Sequence, residues 1–389
     1  MKKKKIVIFV DWYVPGYKAG GPIKSIFSLV SYLKDDYDFL IITSDTDFGE
    51  ALPYPGIKSD TWIQADPSVA IFYASKTFQN KNNLLTLLQS LQYDGIYLNS
   101  FFSPWFSVMP LLLLKRKKIN GPLLIAPRGM LGAGALKLKP LKKKIFIVFS
   151  KIMGLHKKVV WHATSAQEKE EITAVLGTKA KVVVASNLQF DANPVEAIPF
   201  LKQKNEVTFF FLSRISEKKN LIFILELLKK ADKKSNITFN IFGPVEDEDY
   251  WKKCLLIIEE LKKSGLDVNY HGAIRNEHLA AAIATSHFMI LPTFNENYGH
   301  VIVESFANGK PVIISDQTPW RDLEKSNAGW DISLNNIAKF ETVIKQCIQM
   351  SNDEYLSMQQ SAITYSKIHC NSNDALIATK EIFKKISND

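Results

Sequence analysis

Glu296 and Glu304 stand with seven residues between them in Phe294-Asn295-Glu296-Asn297-Tyr298-Gly299-His300-Val301-Ile302-Val303-Glu304, and Gly309-Lys310-Pro311-Val312-Ile313-Ile314 follows closely. The apolar run Phe288 to Leu291 reads as a strand, and the stretch after Gly299 has the apolar spacing of a helix ending near Gly309. Glu296 then lies in a strand-to-helix loop and Glu304 in the second turn of the helix. In open α/β sheets ligands bind beyond the carboxyl ends of the strands, so both acids border such a crevice. Helix amides around Gly299 and His300 favour an anionic group there. Two acids beside an anion site suit hydrogen bonds to sugar hydroxyls. The same spacing also fits Asn295 or Glu296 as a helix cap and Glu304 as a solvated residue.

Two cations follow an earlier strand, in Ser213-Arg214-Ile215-Ser216-Glu217-Lys218-Lys219-Asn220. Arg214 leaves the strand end and Lys219 precedes the next helix, so both are placed to aim into the crevice of Glu296 and Glu304. Paired cations suit a diphosphate that gathers charge as it leaves; a solvated loop capped by Asn220 is the alternative. Gly20 and Gly21 in Tyr17-Lys18-Ala19-Gly20-Gly21-Pro22-Ile23-Lys24-Ser25 open a helix after the first strand and allow close backbone approach to a phosphate or sugar, or form a simple turn. That loop is neither a P-loop nor the dinucleotide fingerprint. Asp45-Thr46-Asp47 and Asp247-Glu248-Asp249 read as surface loops, so no metal is implied. His300 and Glu304 share a helical face without a third ligand, and His162 reads as a packed or capping residue.

The elements that must position these residues alternate between strand and helix. Ile6 to Val10, Phe39 to Thr43, Val69 to Tyr73, Gly95 to Asn99, Leu123 to Ala126, Val159 to Ala163 and Lys181 to Ala185 read as strands. Helical patterns such as Ile23 to Leu33 lie between them. After a polar, proline-bearing stretch the alternation restarts with Val207 to Ser213, Ile237 to Phe242, Val268 to Tyr270, Phe288 to Leu291 and Val312 to Ser315. The class expected is α/β, with two Rossmann-like parallel-sheet domains facing across a cleft. Their bounds are 1–190 and 206–369 with a linker at 191–205, and a C-terminal helix at about 370–389 is able to pack back on the first domain.

A chain of 389 residues exceeds one ordinary core, and its 46% hydrophobic and 23% charged residues are those of a globular protein. The three cysteines, Cys254, Cys347 and Cys370, are widely spaced, which suits a reducing compartment and no zinc site. The net charge of +10 is uneven: residues 1–190 hold 26 Lys and Arg against 13 Asp and Glu, and the remainder holds 23 against 26. The segment from Lys137 to Lys158 interleaves lysines with Ile145, Phe146, Val148, Phe149 and Ile152, a composition that fits an anionic leaflet or a core helix with solvated lysines. No nucleic-acid motif accompanies the charge. No apolar run approaches the length of a membrane span, so the expected location is cytoplasmic, with attachment to the inner face of the plasma membrane as an option.

Together these segments resemble the retaining glycosyltransferases of the GT-B fold, glycosyltransferase family 4 (group 1), of the type that builds bacterial surface polysaccharides. The most specific part runs from Pro292 through Glu296, Gly299, Glu304, Gly309 and Pro311 to Thr318-Pro319-Trp320 and Gly329-Trp330; Arg214, Lys219, Gly20-Gly21 and Asn187 match in order. The resemblance implies that Arg214 and Lys219 grip the diphosphate of a nucleotide-sugar and that Glu296 holds the donor sugar. It also implies that Glu304 binds the ribose, and that Asn297, Tyr298, Gly299, His300, Gly243 and Ile274 line the donor. Transfer would retain the anomeric configuration, with no cofactor and no metal, onto a glycan or a lipid-linked acceptor bound on the side of Gly20, Gly21 and Arg128. Many relatives carry histidine within a Pro-His-Gly-Met-Leu-like sequence where this chain has Pro127-Arg128-Gly129-Met130-Leu131. Arginine cannot serve as a base at neutral pH, so Arg128 is assigned to a phosphate of the acceptor or donor. The alternatives on the same fold are a sugar-nucleotide epimerase, a sugar phosphorylase, or a catalytically silent membrane-surface protein.

Overall fold

The computed structural model describes residues 2–137, 140–189, 200–232, 234–370 and 372–386. The chain divides into two compact units, residues 1–190 with 372–389, and residues 191–371.

The first unit is built on β1 (Lys4–Phe9), β2 (Tyr37–Ser44), β3 (Trp62–Asp66), β4 (Val69–Ala74), β5 (Gly95–Leu98), β6 (Leu123–Ile125), β7 (Val159–Ala163) and β8 (Lys181–Val184). They form one sheet in the order β3-β4-β2-β1-β5-β6-β7-β8, parallel except for the antiparallel β3. After its two leading lysines β1 is a continuous apolar run, as is β5, because both faces of the sheet are covered there. The side-chain period of two divides them: Ile6 and Ile8 join the core on one face, Val7 and Phe9 that on the other. β3 has no such run. It is an edge strand with no buried residue, which is why its sequence, Trp62-Ile63-Gln64-Ala65-Asp66, gives no strand signal.

The last described helix, Ser372–Lys384, belongs to the first unit. Ile382, Phe383 and Ile386 are fully buried in the core beside β1 and β2, and Phe383 stacks on Tyr97 at 5.8 Å. Gly95 permits this approach, since a Cβ there would lie 2.6 Å from the Ile386 carbonyl oxygen.

The second unit contains β9 (Glu206–Leu212), β10 (Asn236–Phe242), β11 (Asp267–Tyr270), β12 (Phe288–Leu291), β13 (Val312–Ser315) and β14 (Gly329–Ile332), all parallel in the order β11-β10-β9-β12-β13-β14. Both sheets reverse direction beside a central strand, at β1/β5 and at β9/β12. Of the linker expected at 191–205, residues 191–199 lie outside the described residues, and in 200–205 Lys202 and Asn205 are bonded to the second unit. The Lys202 ammonium is buried and donates to the carbonyls of Gln203, Ile348 and Met350, while the Asn205 amide donates to Ile348. Burial holds the Lys202 amine down at about 8.

Candidate functional site

The carboxyl ends of β9 and β12, the point where the second sheet reverses, carry the best-built site. After β9 the chain makes a short 3-10 turn, Glu217–Lys219, and the αL residue Asn220 then leads into the Leu221–Leu228 helix. After β12 comes the loop to the His300–Ala307 helix. Lys218 stitches the two loops: its carbonyl accepts from the Phe294 amide at 2.9 Å and the Thr293 hydroxyl at 3.1 Å. The Asn220 side chain donates to the Pro292 carbonyl at 3.1 Å instead of capping a helix.

This lacing brings Lys219 onto Glu296. The two form a short ion pair, with side chains 9% and 15% exposed. Neither Asn295 nor Glu296 caps the helix, because its N-cap is Gly299 at φ 81°. A Cβ on Gly299 would meet the Glu296 Cγ at 3.1 Å and Ile302 at 2.8 Å, so glycine is what lets Glu296 fold over the helix start. Burial alone would raise the Glu296 carboxyl; the charges of Lys219, Lys218 and Arg214 outweigh it and hold the group below the usual carboxylate range. Tyr298 is buried edge-on against Trp320 at 5.5 Å, and the Trp320 indole donates to the Tyr298 carbonyl. Glu304 lies half-buried in the second turn of the same helix.

Arg214 has a partner that its place in the sequence does not announce. Its guanidinium pairs with Glu246 at 2.7 Å, although its charge still acts on Glu296. Lys218 was not anticipated. Desolvation, with Lys219 and Arg214 close by, pushes its amine down to about 8. A Lys-Lys pair in a loop looks solvated in sequence, and only the register of the turn turns one of them inward. Gly243, at φ 137°, sits against the peptide entering Arg214, where a Cβ would come within 1.9 Å of the Ser213 carbonyl oxygen. Its amide donates to the Gly272 carbonyl, two residues before Ile274, which packs on the core.

In the first unit, Gly20 at φ 67° precedes the helix Gly21–Leu33, which begins with Pro22 in its first turn. Asp47 holds the approach to it, accepting from the Tyr17 and Lys18 amides at 2.9 and 3.2 Å, and Asp45 accepts from the Ser59 hydroxyl at 2.7 Å. Both carboxylates are buried. The surface-loop reading of Asp45-Thr46-Asp47 is therefore corrected: both acids are buried, Asp47 bracing the approach to the glycine turn and Asp45 holding Ser59. Asp247 is a helix N-cap, accepting from the Tyr250 amide.

Arg128, at φ 55°, spreads its guanidinium over three neutral acceptors: Asn99 Oδ1 at 2.7 Å, the Tyr97 hydroxyl at 2.8 Å and Asn187 Oδ1. Asn99 in turn donates to the Pro22 carbonyl at 3.4 Å, which joins Arg128 to the glycine turn. The buried Glu168 accepts from the Gly129 amide at 2.6 Å and from Thr164, fixing the loop from below. His162 is packed behind, bonded to Tyr97 and the Ala185 carbonyl, and burial pushes it down to about 3. Among the described residues no three His, Cys, Asp or Glu side chains gather as a metal site, and no helix is long and apolar enough to cross a membrane.

Two parallel α/β units with sites at both sheet reversals are the architecture of the GT-B glycosyltransferases. Solved structures of that kind superpose on the whole chain: Alr3699/HepE of Anabaena in complex with UDP and glucose, at 15% identity, TM-score 0.67 and coverage of 99% of this chain and 100% of that one; and WaaG, described as a glycosyltransferase involved in lipopolysaccharide biosynthesis, at 11%, 0.69, 99% and 100%. Residues 195–367 match the model of the family described as Glycosyl transferases group 1. A curated relative, an uncharacterized 41.2 kDa protein in the cps region of Klebsiella pneumoniae, is 24% identical over 258 residues, 62% of this chain and 67% of that protein. The protein is a glycosyltransferase, and the stretch that matches the group 1 model falls in its second unit.

Proposed function

We propose that this glycosyltransferase is a family 4 enzyme that moves a sugar, with retention of configuration, from a nucleotide-diphosphate sugar to a hydroxyl of a glycan or lipid-linked acceptor in lipopolysaccharide, capsule or exopolysaccharide synthesis at the inner face of the plasma membrane. The observation that carries this reading is the Lys219–Glu296 pair, with Lys218 and Arg214 beside it, at the sheet reversal where α/β ligands bind.

A departing diphosphate needs positive charge fixed in advance, since reorienting dipoles during reaction is the costly step. Arg214, Lys218 and Lys219 supply it, together with the helix amides at Gly299 and His300. In this reading they do the work a divalent ion does elsewhere. Glu296, with one oxygen on Lys219, offers the other to a hydroxyl of the donor sugar, and Glu304 accepts from the ribose. Asn297 and Tyr298 shape the loop between them, and Gly243 and Ile274 border the base. The diphosphate leaves on the face where the acceptor hydroxyl enters and takes up its proton, which retains configuration. Gly20, Gly21 and Arg128 form the acceptor side, where the guanidinium faces a phosphate. The occurrence of a relative in a cps region and the lipopolysaccharide role of WaaG support the polysaccharide assignment.

A thermal-shift screen of UDP-, GDP- and ADP-sugars tests it. One of them is expected to stabilise the protein and to lose that effect in Glu304→Ala and Arg214→Ala; no stabilisation by any of the three would sink the donor site.

A further inference from the structure

We propose that the Pro140–Ile152 helix of the first unit docks on an anionic lipid surface. This deepens the localisation in the reading above but uses none of its transfer chemistry, so either can fail alone.

Leu141, Ile145, Val148, Phe149 and Ile152 recur at the spacing of one helical face and are 49–79% exposed. The opposite side supplies Ile147 and Ser150 to the unit's interior. Single exposed apolar residues need no explanation, but five on three turns of one helix do. Lysines flank the stripe: Lys142, Lys144 and Lys151 on the helix, Lys157 and Lys158 just after it, all exposed. Lys143 is different, since it donates to the Ala135 carbonyl and lies over the Phe102 ring.

Charge selects the occupant. Between Asp94 and Glu168 the sequence contains thirteen Lys and Arg and not one Asp or Glu. A second copy of the chain would bring lysines against lysines, and a protein partner with mixed charge would find no cation-to-acid exchange on this face. An anionic bilayer answers both features: apolar side chains enter the acyl boundary and ammonium groups stay at the headgroups.

The test is co-sedimentation of the full chain with phosphatidylcholine vesicles, with and without phosphatidylglycerol, in the absence of nucleotide-sugar. Binding is expected only with phosphatidylglycerol and is expected to weaken with salt. Each lysine near the surface contributes about fivefold, so Lys142→Gln/Lys144→Gln/Lys151→Gln is expected to bind about a hundredfold more weakly. Phe149→Asp/Ile152→Asp is expected to lose binding at low salt as well, with an unchanged melting temperature because both side chains are exposed. Equal recovery with neutral vesicles, full binding by both variants, or a concentration-dependent dimer that the variants abolish without any vesicle binding would each overturn the proposal.

Discussion

Lys219 and Glu296 are 77 residues apart in sequence and meet as an ion pair that ties the loop after β9 to the loop after β12. Removing one partner leaves the other largely buried without its counter-charge. Glu296→Ala and Lys219→Met are each expected to destabilise by about 3 kcal/mol. The double variant is expected to fall short of the sum, because the second removal deletes a group already stranded. Urea titrations of the three variants measure it; strictly additive losses would mean that the pair contributes nothing as a pair.

The same pair sets a pH dependence. The Glu296 carboxyl is depressed in the folded protein, so the unfolded chain binds its proton first as pH falls. Its stabilisation is complete above the ordinary carboxylate pKa and is lost as pH falls through the lower folded value. The melting-temperature gap between wild type and Glu296→Gln is therefore expected to shrink from about pH 7 to about pH 3. A gap that stays constant would contradict the depressed carboxyl.

Lys218 runs the other way. Its amine is lowered from 10.5 to about 8, so between those values the unfolded chain carries a proton that the folded one has released, and stability rises with pH across that window. Below about 8 the half-buried cation is a burden. Lys218→Met is expected to raise stability by about 1–2 kcal/mol at neutral pH while weakening nucleotide-diphosphate binding, and wild-type binding is expected to decline as pH passes 8. Calorimetric titration with UDP or GDP across that range checks both. A variant that gains stability and keeps full affinity would remove Lys218 from the donor site.

How much of this was legible in the sequence follows from which forces act locally. Strands such as Phe288–Leu291 announce themselves because both faces are buried, and Glu296, Gly299 and Glu304 sit at spacings fixed by one loop and one helix. The Trp62–Asp66 strand was hidden because an edge strand buries no continuous run. Asp45 and Asp47 look like any loop acids until the chain folds back and places the Tyr17 and Lys18 amides on Asp47. Arg214 follows the end of β9, which the apolar run announces, yet its partner Glu246 comes from the loop after β10, and sequence spacing carries no information on that pairing.

Gly243 illustrates a contact that is visible in sequence only as a glycine. An added methyl group would lie 1.9 Å from the Ser213 carbonyl oxygen, on a backbone already in the positive-φ region. Gly243→Ala is expected to cost about 2–4 kcal/mol and to displace the peptide that carries Arg214, abolishing stabilisation by nucleotide-sugar. If the variant folds with wild-type stability and ligand response, the close approach has no role in placing Arg214.

The Arg128 network has a direction that can be worked out from one end. The Ala185 carbonyl only accepts, so the His162 Nε2 must carry the ring proton, and a ring whose pKa is about 3 has no second one. The Nδ1 is then an acceptor, Tyr97 must donate its hydroxyl proton to it at 3.0 Å, and the phenol oxygen is left to accept from Arg128 Nη2. Tyr97→Phe breaks both links and strands a buried ring nitrogen, at a cost of about 1–3 kcal/mol. Because these residues all belong to the first unit, nucleotide-sugar stabilisation is expected to survive while the KM for the acceptor rises. Arg128→Lys is expected to raise it as well, since one ammonium point cannot span Asn99, Tyr97 and Asn187 as the planar fork does. A Tyr97→Phe variant that loses donor stabilisation and leaves the acceptor KM unchanged would transfer Arg128 from the acceptor to the donor diphosphate.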